Sequence, residues 1–337
     1  MPDQPLSARV NIRASEKNVP LSILIELTNA CNLNCYYCYQ RHSRKTDELT
    51  TEQWVRIFGQ LADAGTLYLV LSGGEPFTRP DIFDLISSAR QHSFAVGLIS
   101  NGLLIDDSAA DRLASSGILD IGISFHAADA SMHDELSGLP GSFAHARDAA
   151  IRLRKRNIKV AIKHTVSTRN FGQYRALRKM ADDLDCLFEC ESIVLPDTRG
   201  TVSPFSLAQD QHARFLRDMG ATFRPEACGD RDNLHCDAGR SVAGILPDGT
   251  VVPCIQLPLA LGNLARQSFM EIWDGRAARE FRKSEQQVDT ACVQCELHGF
   301  CGRCHGLAWW ETGAWQGPSP GLCCRAKAAK EILNPKS

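Results

Sequence analysis

From Leu21 to about Leu195 the chain alternates short β-rich runs with amphipathic helical segments, six times over, and this rhythm limits the folds open to it. The strands expected are Ile23–Leu27, Leu67–Leu71, Ala95–Ile99, Ile118–Ser124, Val160–Val166 and Leu187–Val194. The segments between them carry apolar residues at helical spacing, as in Trp54, Ile57, Phe58 and Leu61 of Thr50–Ala62, where Thr50 and Gln53 form a capping-box signal. Asp81–Gln91, Ala109–Ser116, Phe143–Arg156 and Tyr174–Leu184 continue the pattern. Strand–helix repeats of this kind predict a parallel sheet with right-handed crossovers. Six units fit an α/β fold of the partial (β/α)6 TIM-like barrel type. An open doubly wound sheet is the rival, because periodicity does not distinguish the two.

After Pro196 the rhythm breaks. One helix is expected around Gln209–Met219 and a helical patch near Phe269–Phe281; the rest is rich in Gly, Pro and Cys. Such a segment builds little apolar core and is expected to need metal staples. The organisation expected is an N-terminal extension over 1–20, a barrel over 21–200, and a linker helix with a small Cys-rich domain over 201–337.

Composition narrows the function. A formal charge of -2 on 337 residues, with no basic run interleaved with aromatics, speaks against nucleic-acid binding. The polar start has no apolar signal-peptide core, and no uncharged apolar run is long enough to cross a bilayer, so a cytoplasmic protein without membrane partners is expected. In that compartment fourteen cysteines point to metal or catalysis rather than disulfides.

Three of them form Cys31-Asn-Leu-Asn-Cys35-Tyr-Tyr-Cys38, directly after the first strand. Thiolates spaced this closely can wrap one iron–sulfur cluster, and three ligands leave one iron of a cubane open. A structural zinc loop is the alternative, but such sites close with four ligands, and only His42 stands nearby. The next strand ends in Ser72-Gly73-Gly74-Glu75-Pro76, where glycine permits close backbone approach and Glu75 can pair with a cation. Ser100-Asn101-Gly102 ends the third strand, Ser124 and His126 the fourth, and Lys163 lies in the fifth. C-terminal strand ends are where barrel active sites gather.

The C-x3-C-x2-C loop followed by Gly-Gly-Glu-Pro resembles the signature of the radical S-adenosylmethionine (radical SAM) superfamily. The resemblance implies a 4Fe-4S cluster on Cys31, Cys35 and Cys38 whose open iron binds S-adenosylmethionine and cleaves it to a 5′-deoxyadenosyl radical. It places Tyr37 near the adenine, Gly73, Gly74 and Glu75 at the methionine ammonium, and Asn101, Ser124 and Lys163 at ribose and carboxylate. His126 stands where related enzymes carry Asp-Gly or His-Gly. It could exchange a proton near the radical, but a hydrogen bond to a backbone carbonyl is the reading preferred, and likewise for His164.

The C-terminal cysteines run Cys236-x12-Gly249-x4-Cys254, then Cys292-x2-Cys295-x5-Cys301-x2-Cys304, then Cys323-Cys324. Leu246–Cys254 reads as a hairpin with an Asp-Gly turn. The order resembles the SPASM extension of the same superfamily, with one or two auxiliary iron–sulfur clusters. The family pattern implies Cys236, Cys254 and Cys304, with Cys228 as a fourth, for one cluster. It implies Cys292, Cys295, Cys301 and Cys323 for the other, with Cys324 the alternative to Cys323. A zinc ribbon on the two C-x2-C pairs is the rival. Cys186 and Cys190 flank Phe188 in an alternating strand and read as core residues.

The resemblance implies hydrogen abstraction from a peptide or protein substrate, leading to cross-linking, epimerisation or oxidation. The partners implied are an external electron donor such as flavodoxin or ferredoxin and a separate leader-peptide-binding protein, since about twenty residues before the first strand are too few for a fused domain. Ile255 and Gln256 follow Cys254 where anaerobic sulfatase-maturing members carry an acid, which argues against that activity. Maturation of a small redox cofactor, a peptide-derived quinone or a tetrapyrrole, is the second choice. A non-catalytic iron–sulfur carrier or zinc-binding adaptor would not need Gly-Gly-Glu-Pro beside a three-cysteine loop.

Overall fold

In the computed structural model, which describes residues 5–42, 47–196, 199–220, 236–285 and 289–333, the six expected strands are all present. A helix the sequence did not announce, α1 (Leu6–Glu16), precedes β1 (Ser22–Glu26). Then follow α2 (Thr51–Asp63), β2 (Tyr68–Ser72), α3 (Ile82–Gln91), β3 (Ala95–Ser100), α4 (Asp107–Ser116) and β4 (Asp120–Ser124). After β4 come α5 (Ala130–Ser137), α6 (Ser142–Lys155), β5 (Val160–Thr165), α7 (Gln173–Asp183) and β6 (Leu187–Glu191). Each neighbouring pair from β1 to β6 is parallel, and the strands lie side by side in chain order. Uniform one-step crossovers give the connectivity of a (β/α)6 partial barrel. A doubly wound sheet would reverse its strand order at a switch point.

Local chemistry explains the elements. Thr50 caps α2 through its hydroxyl, which accepts from the Gln53 N–H at 3.3 Å, while the Gln53 carboxamide accepts from the Thr50 N–H at 2.7 Å. Trp54, Ile57, Phe58 and Leu61 form the buried face of that helix. In β1 and β2 buried residues alternate with more exposed ones up to the strand end, whereas β3 and β4 are buried through their middles. Ile23, Ile25, Leu69, Leu71, Val96, Leu98, Ile121, Ile123 and Ile162 join the helices in one core. The opposite face carries Leu24, Glu26, Val70, Gly97, Asp120, Ser124, Lys163 and Glu189 in register.

The C-terminal third departs from expectation. After α8 (Gln209–Asp218), the strand β7 (Val242–Ile245) pairs in parallel with the free edge of β1. The expected Asp248-Gly249 hairpin then delivers β8 (Thr250–Val252), followed by β9 (Gly262–Asn263), so one sheet has nine strands. Its Ala243, Ile245, Val251 and Leu257, with Phe269, Ile272 and Trp273 of α9 (Phe269–Trp273), belong to the same core as the barrel. The Trp273 indole donates to the Asn18 carbonyl at 2.6 Å. Metal staples are therefore not the only support of this segment, which shares the apolar core of the sheet. The expected helix over 269–281 is broken by Asp274 and Gly275 into α9 and α10 (Arg276–Glu285). Beyond them come α11 (Thr290–Val293), which carries Cys292, α12 (His305–Thr312), and α13 (Pro320–Leu333), which carries Cys323 and Cys324. The last helix packs on α8 around Tyr174, Phe215, Leu216, Ala328 and Ala329. Among the described residues no helix is long and apolar enough to cross a membrane.

Candidate functional site

The cysteine loop begins where β1 ends, and backbone hydrogen bonds lock it to the Gly-Gly turn after β2. The Leu27 N–H donates to Ser72, the Gly74 N–H to Thr28 at 2.7 Å and the Glu75 N–H to Ala30 at 2.8 Å. Gly73 has φ +138, and a β-carbon there would stand 2.6 Å from the Thr28 carbonyl oxygen; one on Gly74 would collide with that of Ala30. Both glycines are thus required by the approach of the two loops. Cys31 is exposed, while Cys35 and Cys38 are half-buried, and none of the three is in a disulfide.

Glu75 has no exposed surface. Its Oε1 accepts from the Ser100 hydroxyl at 2.9 Å and the Phe77 N–H at 3.1 Å, and its Oε2 from the Asn101 N–H at 2.7 Å. Burial pushes its pKa up, and these hydrogen bonds pull it back. Three protein donors meet this carboxylate and fasten the end of β3 to the turn after β2. Asn101 continues the chain of contacts, donating from Nδ2 to the Asn32 side chain inside the cysteine loop at 2.7 Å. Ser124 lies half-buried at the end of β4, paired in register with Lys163, whose ammonium meets the Glu189 carboxylate.

The preferred reading of His126 is corrected. Its ring meets no backbone carbonyl: Nδ1 lies 2.8 Å from the Tyr37 hydroxyl and Nε2 lies 3.4 Å from Cys35 Sγ. Burial pushes its pKa down to about 3, and His133 and His164 act in the same direction. Tyr37 accordingly engages His126 through its hydroxyl, at a ring-centroid separation of 5.5 Å. His164 does bond a backbone carbonyl, that of Phe125, through Nδ1 at 2.8 Å.

Sequence reasoning missed three supports of this loop. The helix α5 accepts the Asn34 and Tyr36 N–H groups on its Ser137 and Leu136 carbonyls. Its signals were present but short: Asp129 caps its start and Gly138, at φ +76, ends it. Asn170 donates to the carbonyls of His126 and Thr165, at 2.7 and 3.0 Å, with no motif to mark it. The Tyr39 hydroxyl donates to the buried Glu26 carboxylate at 2.7 Å, and the charges of Cys38 and Cys254 both reach that hydroxyl.

Among the C-terminal thiols, Cys301 lies within reach of Cys292, Cys295 and Cys323, and Cys254 within reach of Cys304. Burial pushes Cys301 up to about 11, with the charges of Cys323, Cys292 and Cys295 adding to it, and these four line one cavity. Cys304 borders the same cavity, but its charge also acts on Cys254, whose pKa is raised first by burial. Cys254 stands at the end of the hairpin, and Cys304 Sγ lies 3.5 Å from the Gln256 side chain. Cys236 is half-buried just before β7, and Cys228 lies outside the described residues. Cys186 and Cys190 are half-buried and pack with Phe188 against the apolar clusters, as expected of core residues. Among the described residues no three His, Cys, Asp or Glu side chains stand close enough to hold one metal ion. The donors are all thiols, the usual ligands of iron–sulfur clusters.

Comparison with known proteins agrees with this chemistry. Residues 25–172 match the Radical SAM superfamily, and residues 236–296 match a family described as an iron–sulfur cluster-binding domain, SPASM. An AdoMet-dependent heme synthase of Methanosarcina barkeri is 29% identical, over 90% of this chain and 96% of its own. A PqqA peptide cyclase of Ruegeria pomeroyi is 28% identical, over 86% of this chain and 84% of its own. Among solved structures, anSMEcpe with bound AdoMet superposes with a TM-score of 0.74 at 21% identity, covering 94% of this chain and 98% of that one. Streptococcus suis SuiB bound to its precursor peptide SuiA gives 0.73 at 18% identity, covering 94% and 80%.

Proposed function

Because this chain is a radical SAM superfamily enzyme with a C-terminal SPASM domain, and so works with a 4Fe-4S cluster, S-adenosylmethionine and auxiliary iron–sulfur clusters, we propose that it abstracts a hydrogen atom from a carbon of a peptide or protein substrate. In this reading Cys31, Cys35 and Cys38 hold the first cluster. The backbone of Gly73 and Gly74 forms the bed for the methionine end of the cofactor. Ser124 and Lys163, on the strand face turned from the helices, lie toward its polar groups. Once reduced by one electron, cluster and cofactor together would supply the species that takes a hydrogen atom from a substrate carbon, with methionine and 5′-deoxyadenosine left from the cofactor. Cys292, Cys295, Cys301 and Cys323 hold one auxiliary cluster. Cys236, Cys254 and Cys304 contribute to another, which would take up the electron remaining after abstraction.

Charge supports the choice of substrate. The strand face turned from the helices carries Asp120, Glu189 and Glu191 against Lys163, which is already paired with Glu189. A peptide with neutral or cationic side chains suits such a face, whereas a polycarboxylate would be repelled. The second reading, a tetrapyrrole bearing carboxylates, rests on the heme synthase relatives, which match over most of their length. Anaerobic incubation of the reduced enzyme with S-adenosylmethionine should yield 5′-deoxyadenosine, and replacing Cys31, Cys35 and Cys38 by Ala should abolish it. Substrates deuterated at carbon, peptides in one series and an iron tetrapyrrole with propionates in the other, separate the readings. Deuterium appearing in 5′-deoxyadenosine from the tetrapyrrole alone would overturn the first.

A further inference from the structure

His126 combines two features that the proposed reaction does not use: a half-buried ring with both nitrogens engaged, and contact with a cysteine of the first loop. Its backbone is fixed on both sides. The N–H donates to His133 Nδ1 at 3.2 Å, and the carbonyl accepts from Asn170 Nδ2 at 2.7 Å. The ring packs against His133 at 5.2 Å between centroids and against the edge of Tyr37. Little freedom remains for it to turn away.

The proton inventory then admits one arrangement. A neutral imidazole carries one N–H and one lone pair. When Cys35 binds iron its sulfur has no proton and can only accept, so the hydrogen must sit on Nε2, 3.4 Å from Cys35 Sγ. Nδ1 is then a lone pair, and it accepts from the Tyr37 hydroxyl at 2.8 Å. A directed chain runs from Tyr37 through His126 to the sulfur.

We infer that His126 is a positioning residue for the first iron–sulfur cluster, donating from Nε2 to Cys35 Sγ in a tautomer set by Tyr37, and that this bond raises the cluster's reduction potential. Hydrogen bonds to the sulfurs are among the determinants of iron–sulfur potentials, and a donor favours the reduced, more negative state. The inference rests on Cys35 being a cluster ligand, as proposed above.

The test is an anaerobic redox titration of the full-length, cluster-loaded enzyme followed by electron paramagnetic resonance. The first cluster is recognised by the change in its reduced signal when S-adenosylmethionine is added, and the auxiliary clusters serve as internal references. His126→Leu should make the first cluster about tenfold harder to reduce, a downward shift of about 59 mV for a one-electron couple. His126→Gln, whose carboxamide N–H can occupy the place of Nε2–H, should recover at least half of that shift. Tyr37→Phe should move the potential in the same direction by less. Equal potentials in His126→Leu and the parent, or a Gln variant no better than Leu, would overturn the inference. If His126→Leu does not retain its iron, Tyr37→Phe against the parent decides, and an unchanged potential there overturns it. Absence of any S-adenosylmethionine-sensitive signal from the parent enzyme would instead remove the ligand assignment itself.

Discussion

The two cysteine-bearing regions of this chain are held in place by opposite means. Cys31, Cys35 and Cys38 occupy eight consecutive residues, fastened by backbone bonds to the Gly-Gly turn, by Asn101 to the end of β3 and by α5 from the other side. The sheet dictates that geometry before any metal arrives. The later cysteines spread from Cys236 to Cys324, and from Cys292 onward they sit on short helices, turns and the start of α13. Few apolar side chains lie beneath Cys292, Cys295 and Cys301; Leu297, Ala308, Leu322 and Ala326 line the cavity they share. A preformed site suits a cofactor that must be bound, used and exchanged, whereas a permanent cluster can serve as part of the fold that surrounds it.

Removing iron and sulfide should expose this contrast most strongly. Structural metal sites in small domains are worth about 10 kcal/mol of folding free energy or more. Hydrogen exchange on the stripped protein should therefore show residues 289–333 losing protection by orders of magnitude, while β1 to β6 keep theirs. Equal loss in both regions would mean that the cysteine loop also depends on its metal. Trp273→Ala tests the boundary from the other side. The indole is buried in the core common to barrel and hairpin and bonds the Asn18 carbonyl, so its loss should cost about 3–5 kcal/mol. Denaturant unfolding should show the cost in a single transition that includes the sheet. A separate transition confined to the C-terminal third would show that the two parts fold independently.

The legibility of the sequence followed the same division. Alternation of apolar and polar residues reports burial directly, so six strands and their helices could be read from it, as could the Asp248-Gly249 hairpin. Two loops adjacent along a parallel sheet had to meet, which is why the Gly-Gly turn falls beside the cysteines. The pairing of β7 with β1 was not legible, since partner choice across 200 residues leaves no periodic trace. The partners of Glu75 and His126 were hidden for a related reason. A residue type states what a side chain can bond, and only the fold decides which donor or acceptor stands within 3 Å. The donors to Glu75 are Ser100, Phe77 and Asn101, none of them marked by a motif, and His126, expected on a carbonyl, meets a hydroxyl and a sulfur.

A smaller effect is expected from Gly74→Ala. Its β-carbon would meet the Ala30 carbonyl, backbone against backbone, so the two loops must part. Strain of this kind costs about 1–3 kcal/mol. In S-adenosylmethionine binding, measured by calorimetry, the loss should be at least tenfold. The same substitution at Gly313, where nothing lies within 4 Å, meets no such neighbour but does meet φ +78, and it should leave binding unchanged while lowering stability slightly.

Acid sharpens the comparison last and least. Burial drives His133 and His164 down to about 4, so both are neutral in the folded protein at pH 6. In the unfolded chain each binds a proton below about pH 6.5. The unfolded state therefore holds more protons between about 6.5 and 4, and stability must fall as pH falls through that window. Each buried histidine contributes at most about 1.4 kcal/mol per pH unit to the slope. His164, a buried residue of β5, has its Nδ1 on the Phe125 carbonyl. His164→Gln keeps a donor for that carbonyl and removes the titration, so its unfolding free energy should lose less than the parent's between pH 6.5 and 4.5. If both proteins weaken along the same slope, the barrel histidines are not what acid attacks, and the C-terminal thiolates, which release metal on protonation, become the weaker region.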